Sequence, residues 1–360
     1  MKPRPIRTAC LICLMFTLNT TPTVAAAAPD LAAPAPLTWQ RLPSLPDREG
    51  FAGSFAGVSC DALLVGGGAN FPDQRPWEGG TKTWYDSVFV LEKPDGDWRL
   101  AGRLSRPLGY GVALTTPRGV ACLGGSDAER HHTDCFLLRW EHGDLKTVPL
   151  PPLPRSVANA CGALLGQTLY VAGGIETPAA TNALLAFYAL DLAEASARWR
   201  ELEPWPGPAR MLAVASAAEG SFFLLGGAAL RAGPDGKTAR DWLRDGYRFT
   251  PGQGWQRLAD LPRVSVAAPS PASVLPGPRL VVVGGDDGAL VNFEPKEKHP
   301  GFPRSMLVYD LKANQWSTAG EVPFSLVTTP SVEWRGHVVV PGGEARPGVR
   351  SPQVWWAKLP

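Results

Sequence analysis

The feature that most constrains this chain is a short apolar run closed by paired glycines, met six times. The double glycines end at Gly67, Gly125, Gly174, Gly227, Gly285 and Gly343, at spacings of 49 to 58 residues. A second marker alternates with the first: a tryptophan, a polar–apolar run and usually Leu-Pro, at Trp39, Trp98, Trp199, Trp255 and Trp316. Residues 145–154 take that place in the second unit without a tryptophan. Each unit holds four strand-sized pieces, for example 268–275, 279–285, 305–311 and 315–320. A glycine pair without side chains allows positive φ and close backbone approach where the second strand ends.

Four antiparallel strands repeated at this period make a β-propeller blade. The ends support that reading. The last unit supplies strands at 330–334, 337–343 and 353–359 and lacks a tryptophan-bearing fourth. Residues 37–42, with Trp39, are an orphan fourth strand at the other end. Pairing them closes the ring and removes both open edges. The expected fold is all-β: one six-bladed propeller over 37–360, sealed by its N-terminal strand. Gly 39 and Pro 37, without a Gly-X-Y period, suit short strands and tight turns.

The segment before the ring has another character. Lys2, Arg4 and Arg7 precede an apolar stretch at 9–18 and small residues at 24–28. This predicts a secretory signal over 1–28 and an Ala/Pro-rich leader over 29–36, hence a secreted or periplasmic protein. The apolar stretch is too short to span a bilayer. Losing three cations turns a formal charge of +2 into −1. That near-neutral balance argues against nucleic acid, or a membrane surface after signal cleavage, as a partner. Cys60, Cys122, Cys135 and Cys161 match no zinc spacing and lie in apolar strand-like runs, so buried thiols are expected, with Cys122 and Cys135 on adjacent strands. No metal or cofactor motif is present.

Loop lengths choose a face. The connections between first and second strands are short, as at 60–61 and 166–167, and those between third and fourth are plain turns, as at 94–97. The connections between second and third strands are long: 68–85, 228–244 and 286–304. Long loops on a rigid scaffold carry binding function. They share their face with the links between blades, where Arg48, Arg106, Arg155, Arg210 and Arg263 recur near a proline. These arginines either ring the channel mouth to hold an anion such as a carboxylate, or bond nearby loop carbonyls. In the 68–85 loop, Trp77, Trp84 and Tyr85 either stack on a sugar ring, with Asn70 and Lys82 as polar contacts, or pack the loop against the rim. Glu344, Arg346 and Arg350 follow the last double glycine within seven residues. A carboxylate there serves as a general base beside anion-holding guanidiniums, or forms a salt bridge that steadies the loop.

The repeat pattern resembles the kelch group over the whole ring. Within it the chain is similar to the N-acetylneuraminate epimerases, on 53–58, 66–71, 110–112 and above all 343–350 (Gly-Glu-Ala-Arg-Pro-Gly-Val-Arg). The resemblance implies a cofactor-free mutarotase acting on a small acidic sugar, with Glu344 as proton acceptor and Arg350 as its functional partner, a candidate to bind the sugar carboxylate. Tyr110 falls in a matching stretch, and Lys82, Tyr110, a histidine or a bound water stay open as the acid. The chain departs from the family in three ways. The 343–350 segment lies in the last blade, as in a cyclically permuted branch. Position 346 is Arg where Lys is usual, and the 68–85 loop is shorter. A non-enzymatic propeller that binds a carbohydrate or a protein is the alternative.

Overall fold

The computed structural model describes Met1 and residues 37–194, 196–233 and 238–360. Apart from Met1, the expected signal and leader lie outside the described residues. Six four-stranded antiparallel sheets form the six blades of a β-propeller. Blade one runs from Phe55–Ser59 through Ala62–Gly66 and Ser87–Leu91 to Arg99–Arg103. Blades two to five follow the same order over 112–150, 161–202, 214–257 and 273–321. Blade six is made of Val332–Trp334, His337–Pro341 and Val354–Lys358, completed by Trp39–Leu42. Four paired residues, Trp39↔Ala357 to Leu42↔Val354, fasten this seam.

The strands alternate residues between neighbouring blades, so the core is six apolar layers between blades. Between blades three and four, Tyr170, Phe187, Phe222 and Trp255 stack, with the Phe187 and Trp255 rings 4.8 Å apart. The outer-strand tryptophans add a polar clasp. Trp98, Trp199, Trp255 and Trp316 donate their indole N–H to carbonyls of Pro43, Pro151, Glu203 and Ala259, each on the preceding blade, at 2.8–3.0 Å. Trp39 packs edge-on against Phe324, and its Nε1 finds no protein acceptor among the described residues.

Both glycines of every pair have positive φ, but in blade one the equivalent pair is Gly67–Gly68, one residue later than the sequence spacing suggested. Gly66 belongs to the strand itself and pairs with Phe55 and Val88. A Cβ on Gly67 would lie 2.2 Å from the Leu108 carbonyl, so the turn admits no side chain there. Cys122, Cys135 and Cys161 are buried free thiols, burial pushing Cys135 and Cys161 up to about 12. Cys60 departs from expectation: it is exposed, because it occupies the Cys60–Asp61 turn, where both residues have positive φ.

At the axis, Gly53, Tyr110, Asn159, Leu212, Ala267 and Thr328 occupy one equivalent position per blade, at φ 53–68°. Each donates its backbone N–H to the carbonyl of the residue before it in the ring, and Gly53 donates to Thr328. Six bonds of 2.7–2.8 Å thus close a circle around the channel. Left-handed backbone costs a non-glycine residue about 1–2 kcal/mol, and here it is offset by these otherwise unmade hydrogen bonds. The circle separates a chamber of about 700 Å³ on the long-loop face from compartments of about 70 and 390 Å³ further along the channel.

Candidate active site

The chamber is floored by five residues of the backbone circle and walled by the long loops, the face that loop length had selected. Its volume lies within the ~300–1,000 Å³ typical of small-molecule sites. Glu344 and Arg350 both line it, as cross-strand partners in a hairpin of Glu344–Arg346 and Val349–Arg350 turned at Pro347-Gly348. The Glu344 backbone is fixed by reciprocal hydrogen bonds with Val327, at 2.8 and 3.0 Å. Its Oε1 accepts from Arg350 Nη1 and from the Gly348 amide, both at 2.7 Å. Oε2 has no protein donor among the described residues, so one carboxylate oxygen is pinned and the other is left to a ligand. The Arg350 side chain is 4% exposed, lies over the Phe71 ring at 5.1 Å and reaches the Ala69 carbonyl. Its Nη1 and Nε are engaged in holding Glu344 and the Ala69 carbonyl, while Nη2 has no protein acceptor among the described residues.

The other sequence candidates divide sharply. Lys82, Trp84 and Tyr110 line the chamber. Lys82 Nζ stands 5.1 Å from both the Trp84 and the Tyr110 ring, a cation–π arrangement. Among the described residues no carboxylate lies within salt-bridge distance of it. Trp84 Nε1 and the Tyr110 hydroxyl are buried without a protein partner among the described residues. Unpaired buried donors are costly, so two of them beside a cation on one wall mark a place made for acceptors.

Asn70 is drawn the other way. Its side chain is wholly buried, donates to Asp47 and the Gly50 carbonyl, and accepts from Tyr85. Trp77 packs at Gly348, behind the Glu344 hairpin. Arg346 donates to the Glu297 carbonyl and ties that hairpin to the long loop of blade five. The recurring arginines do not ring the chamber. Arg210 is fully buried and bonds Asp245 and the Gly226 carbonyl. Arg263 bonds the Gly284 and Ser305 carbonyls. Arg106 meets His132 and Asp134, Arg155 meets Glu176, and Arg48 is exposed beside Glu49. The reason is local. A double glycine in left-handed backbone leaves carbonyls that need donors, and in blades four and five an arginine of the preceding link supplies them.

Three charged chamber residues were not singled out from the sequence: Asp127, Asp286 and Arg240. His131, one of the histidines left open as the acid, also lines it. Asp127 is held ionised; burial opposes its charge, but the Arg130 and Glu129 amides and His132 bring its pKa to about 2. His131 is buried, which lowers its pKa, and its Nδ1 faces the Ile175 carbonyl at 3.1 Å. Asp286 follows the double glycine of blade five, the place Glu344 holds in blade six. Superposing the repeats on their glycines would have found it.

Fold and chamber together define a six-bladed propeller with a carboxylate-bearing small-molecule site on its long-loop face. The family described as N-acetylneuraminate epimerase matches residues 21–147 and 150–297, and the chain belongs to that family. Similar proteins include the N-acetylneuraminate epimerase of Haemophilus influenzae, 28% identical over 235 residues, 58% of this chain and 59% of that protein. The namesake from Brucella suis is 36% identical over 119 residues (29% and 30%), and that from Yersinia enterocolitica 38% over 127 (30% and 31%). The chain thus spans about three-fifths of the length of the Haemophilus relative it matches. The matched family segments stop at residue 297, before the Glu344 hairpin.

Proposed function

We propose that this chain interconverts the anomers of an acidic sugar, N-acetylneuraminate by preference, through acid/base ring opening and reclosure without a cofactor. The observation that carries the reading is Glu344, with one oxygen pinned by Arg350 and Gly348 and the other open to the chamber. Family membership and the names of the similar proteins support the choice of sugar.

Glu344 takes the proton of the anomeric hydroxyl while an acid protonates the ring oxygen. The bond between anomeric carbon and ring oxygen breaks, and a carbonyl forms. Rotation and attack by the freed hydroxyl on the other carbonyl face close the opposite anomer, and both protons return. The sugar carboxylate hangs on the anomeric carbon, so it falls beside the base; the assignment of Lys82 as its cation is supported by its position on the adjoining blade-one wall. Trp84 and Tyr110 supply donors and a stacking face. The basic–apolar–small pattern of residues 1–28 supports action in the periplasm or outside the cell.

The test is exchange spectroscopy by NMR on equilibrated N-acetylneuraminate. The protein should accelerate anomer exchange well above the spontaneous rate. Glu344→Gln keeps the hairpin acceptor but loses the base, and should slow catalysed exchange by about 10²–10⁴-fold. An unaccelerated rate with the wild type would mean a sugar-binding propeller instead.

A further inference from the structure

Proton removal and proton delivery in ring opening act on two oxygens attached to one carbon. The acid must therefore sit beside Glu344 rather than across the chamber. Blade five adjoins blade six, and it carries Asp286 at the equivalent position. The backbones match: Asp286 exchanges hydrogen bonds with Val266 at 2.8 and 2.9 Å, as Glu344 does with Val327. The side chains match as well. Asp286 Oδ1 accepts from the Gly288 amide at 2.9 Å, as Glu344 Oε1 does from Gly348, and Oδ2 has no protein donor among the described residues. In the other blades the same position holds Ala69, Ser126, Ile175 and Ala228, so the two carboxyls are a neighbouring pair peculiar to blades five and six.

What separates them is the company each keeps. Glu344 has a guanidinium against it. Asp286 is raised above the ordinary aspartate value, chiefly by burial; the Gly288 amide is the main opposing effect, the charge of Asp287 adds to the rise, and Arg240 and His299 oppose it more weakly. His299 accepts the Gly301 amide at Nδ1, which leaves that nitrogen without a proton. Two neighbouring carboxyls, one against a guanidinium and one without, are the kind of unequal pair that serves as base and acid. The alternatives on the blade-two wall do not serve. Asp127 is held ionised, and His131 is pushed by burial toward its neutral form, with Nδ1–H directed at a carbonyl.

We propose that Asp286 is the general acid that protonates the ring oxygen as Glu344 deprotonates the anomeric hydroxyl. This rests on the mutarotase reading above. In opening, the Asp286 proton goes to the ring oxygen as its bond to the anomeric carbon breaks. On reclosure the Asp286 carboxylate takes that proton back from the attacking hydroxyl, and Glu344 returns its own to the carbonyl oxygen. No net proton, electron or co-reactant is consumed.

The experiment measures catalysed anomer exchange of N-acetylneuraminate by NMR between pH 5 and 8, with sugar binding measured alongside, for the wild type, Asp286→Asn and Asp286→Glu. Asparagine keeps the acceptor for Gly288, so the loop fold is retained. Asp286→Asn should lose about 10²–10⁴-fold in catalysed rate with sugar affinity within a few-fold. The wild-type rate should fall as pH rises through the Asp286 pKa, and this limb should vanish in the residual activity of Asp286→Asn. Asp286→Glu should restore part of the rate with a displaced limb. An active wild type with an equally fast Asp286→Asn removes Asp286 as the acid and leaves the mutarotase standing. A slow Asp286→Asn that keeps the wild-type alkaline limb also overturns the assignment. A wild type that accelerates nothing removes the mutarotase reading and this inference with it.

Discussion

Two arginine–carboxylate pairs in this molecule are close to geometric twins, yet one belongs to the site and the other to the scaffold. Arg350–Glu344 and Arg210–Asp245 both meet at 2.7 Å, and the arginine side chains are 4% and 0% exposed. The carboxylates differ. Glu344 keeps an oxygen for the chamber. Asp245 gives Oδ2 to both Arg210 and Tyr247, and its Oδ1 is buried without a donor among the described residues. The same chemical pair thus leaves one carboxylate oxygen without a protein donor where a loop face opens onto the axis, and works as a strut where it closes between strands. Position relative to the double glycine decides which. Glu344 follows the pair directly, on the chamber wall, whereas Arg210 reaches the Gly226 carbonyl from the preceding link.

Removing the strut should give the largest stability change. Arg210→Ala leaves Asp245 as an uncompensated buried charge and should destabilise the fold by about 3–5 kcal/mol, read by denaturant unfolding at pH 7. The pH dependence sharpens this. Burial works against the Asp245 charge, but the hydrogen bond and charge of Arg210, helped by Tyr247, outweigh it and lower its pKa from the ordinary aspartate value. In the wild type this contribution is full above the unfolded aspartate pKa of about 3.9 and fades as pH falls through the lower folded value. In Arg210→Ala the lowering by Arg210 is lost and mainly the Tyr247 hydrogen bond is left to oppose burial, so the folded pKa lies higher than in the wild type and the penalty relaxes on acidification. The stability gap between the two proteins should narrow from pH 7 to pH 4. A gap that widens would break the view of Arg210 as a charge-compensating strut.

These pairs also show how far residues alone reach. The ring, its seam and the functional face were legible because they rest on periodic features: the glycine pairs, the tryptophans and the loop lengths. Glu344 with Arg350 was legible because one short hairpin holds both. The role of Arg210 and Arg263 was not, since their recurrence fits an anion ring and a set of carbonyl braces equally well. Only the direction of the side chains separates the two, and the link residues between arginine and channel do not encode it visibly. Asn70 was misleading for a related reason: it lies in the site loop but turns inward to Asp47 and Tyr85. The backbone circle left no sequence signal at all. It uses the main chain, so its six positions hold Gly, Tyr, Asn, Leu, Ala and Thr.

The site pair should respond to a change that the strut argument treats as mild. Arg350→Lys keeps a cation near Glu344 but loses the reach to the Ala69 carbonyl and the planar contact with Phe71. A carboxylate displaced by an ångström costs on the order of 10²-fold in rate. Exchange kinetics should show that loss in kcat with KM nearly unchanged, and unfolding should show a smaller stability loss than Arg210→Ala. A KM effect instead would return Arg350 to binding the sugar carboxylate.

The smallest effect tests whether the scaffold behaves as separable contacts. Trp98 donates to the Pro43 carbonyl just after the N-terminal strand, so it clasps blade one to the seam blade. Trp98→Phe keeps most of the apolar contact and removes one N–H, for an expected loss of about 0.5–1.5 kcal/mol. Trp98 and Arg210 share no partner and belong to blades one and four. In the double variant Trp98→Phe with Arg210→Ala, the two losses should therefore add to within about 0.5 kcal/mol. A larger coupling would mean that the closed circle of backbone hydrogen bonds transmits strain around the ring. The strut at Arg210 would then also influence the geometry at Glu344, and the two arginine pairs would no longer be independent.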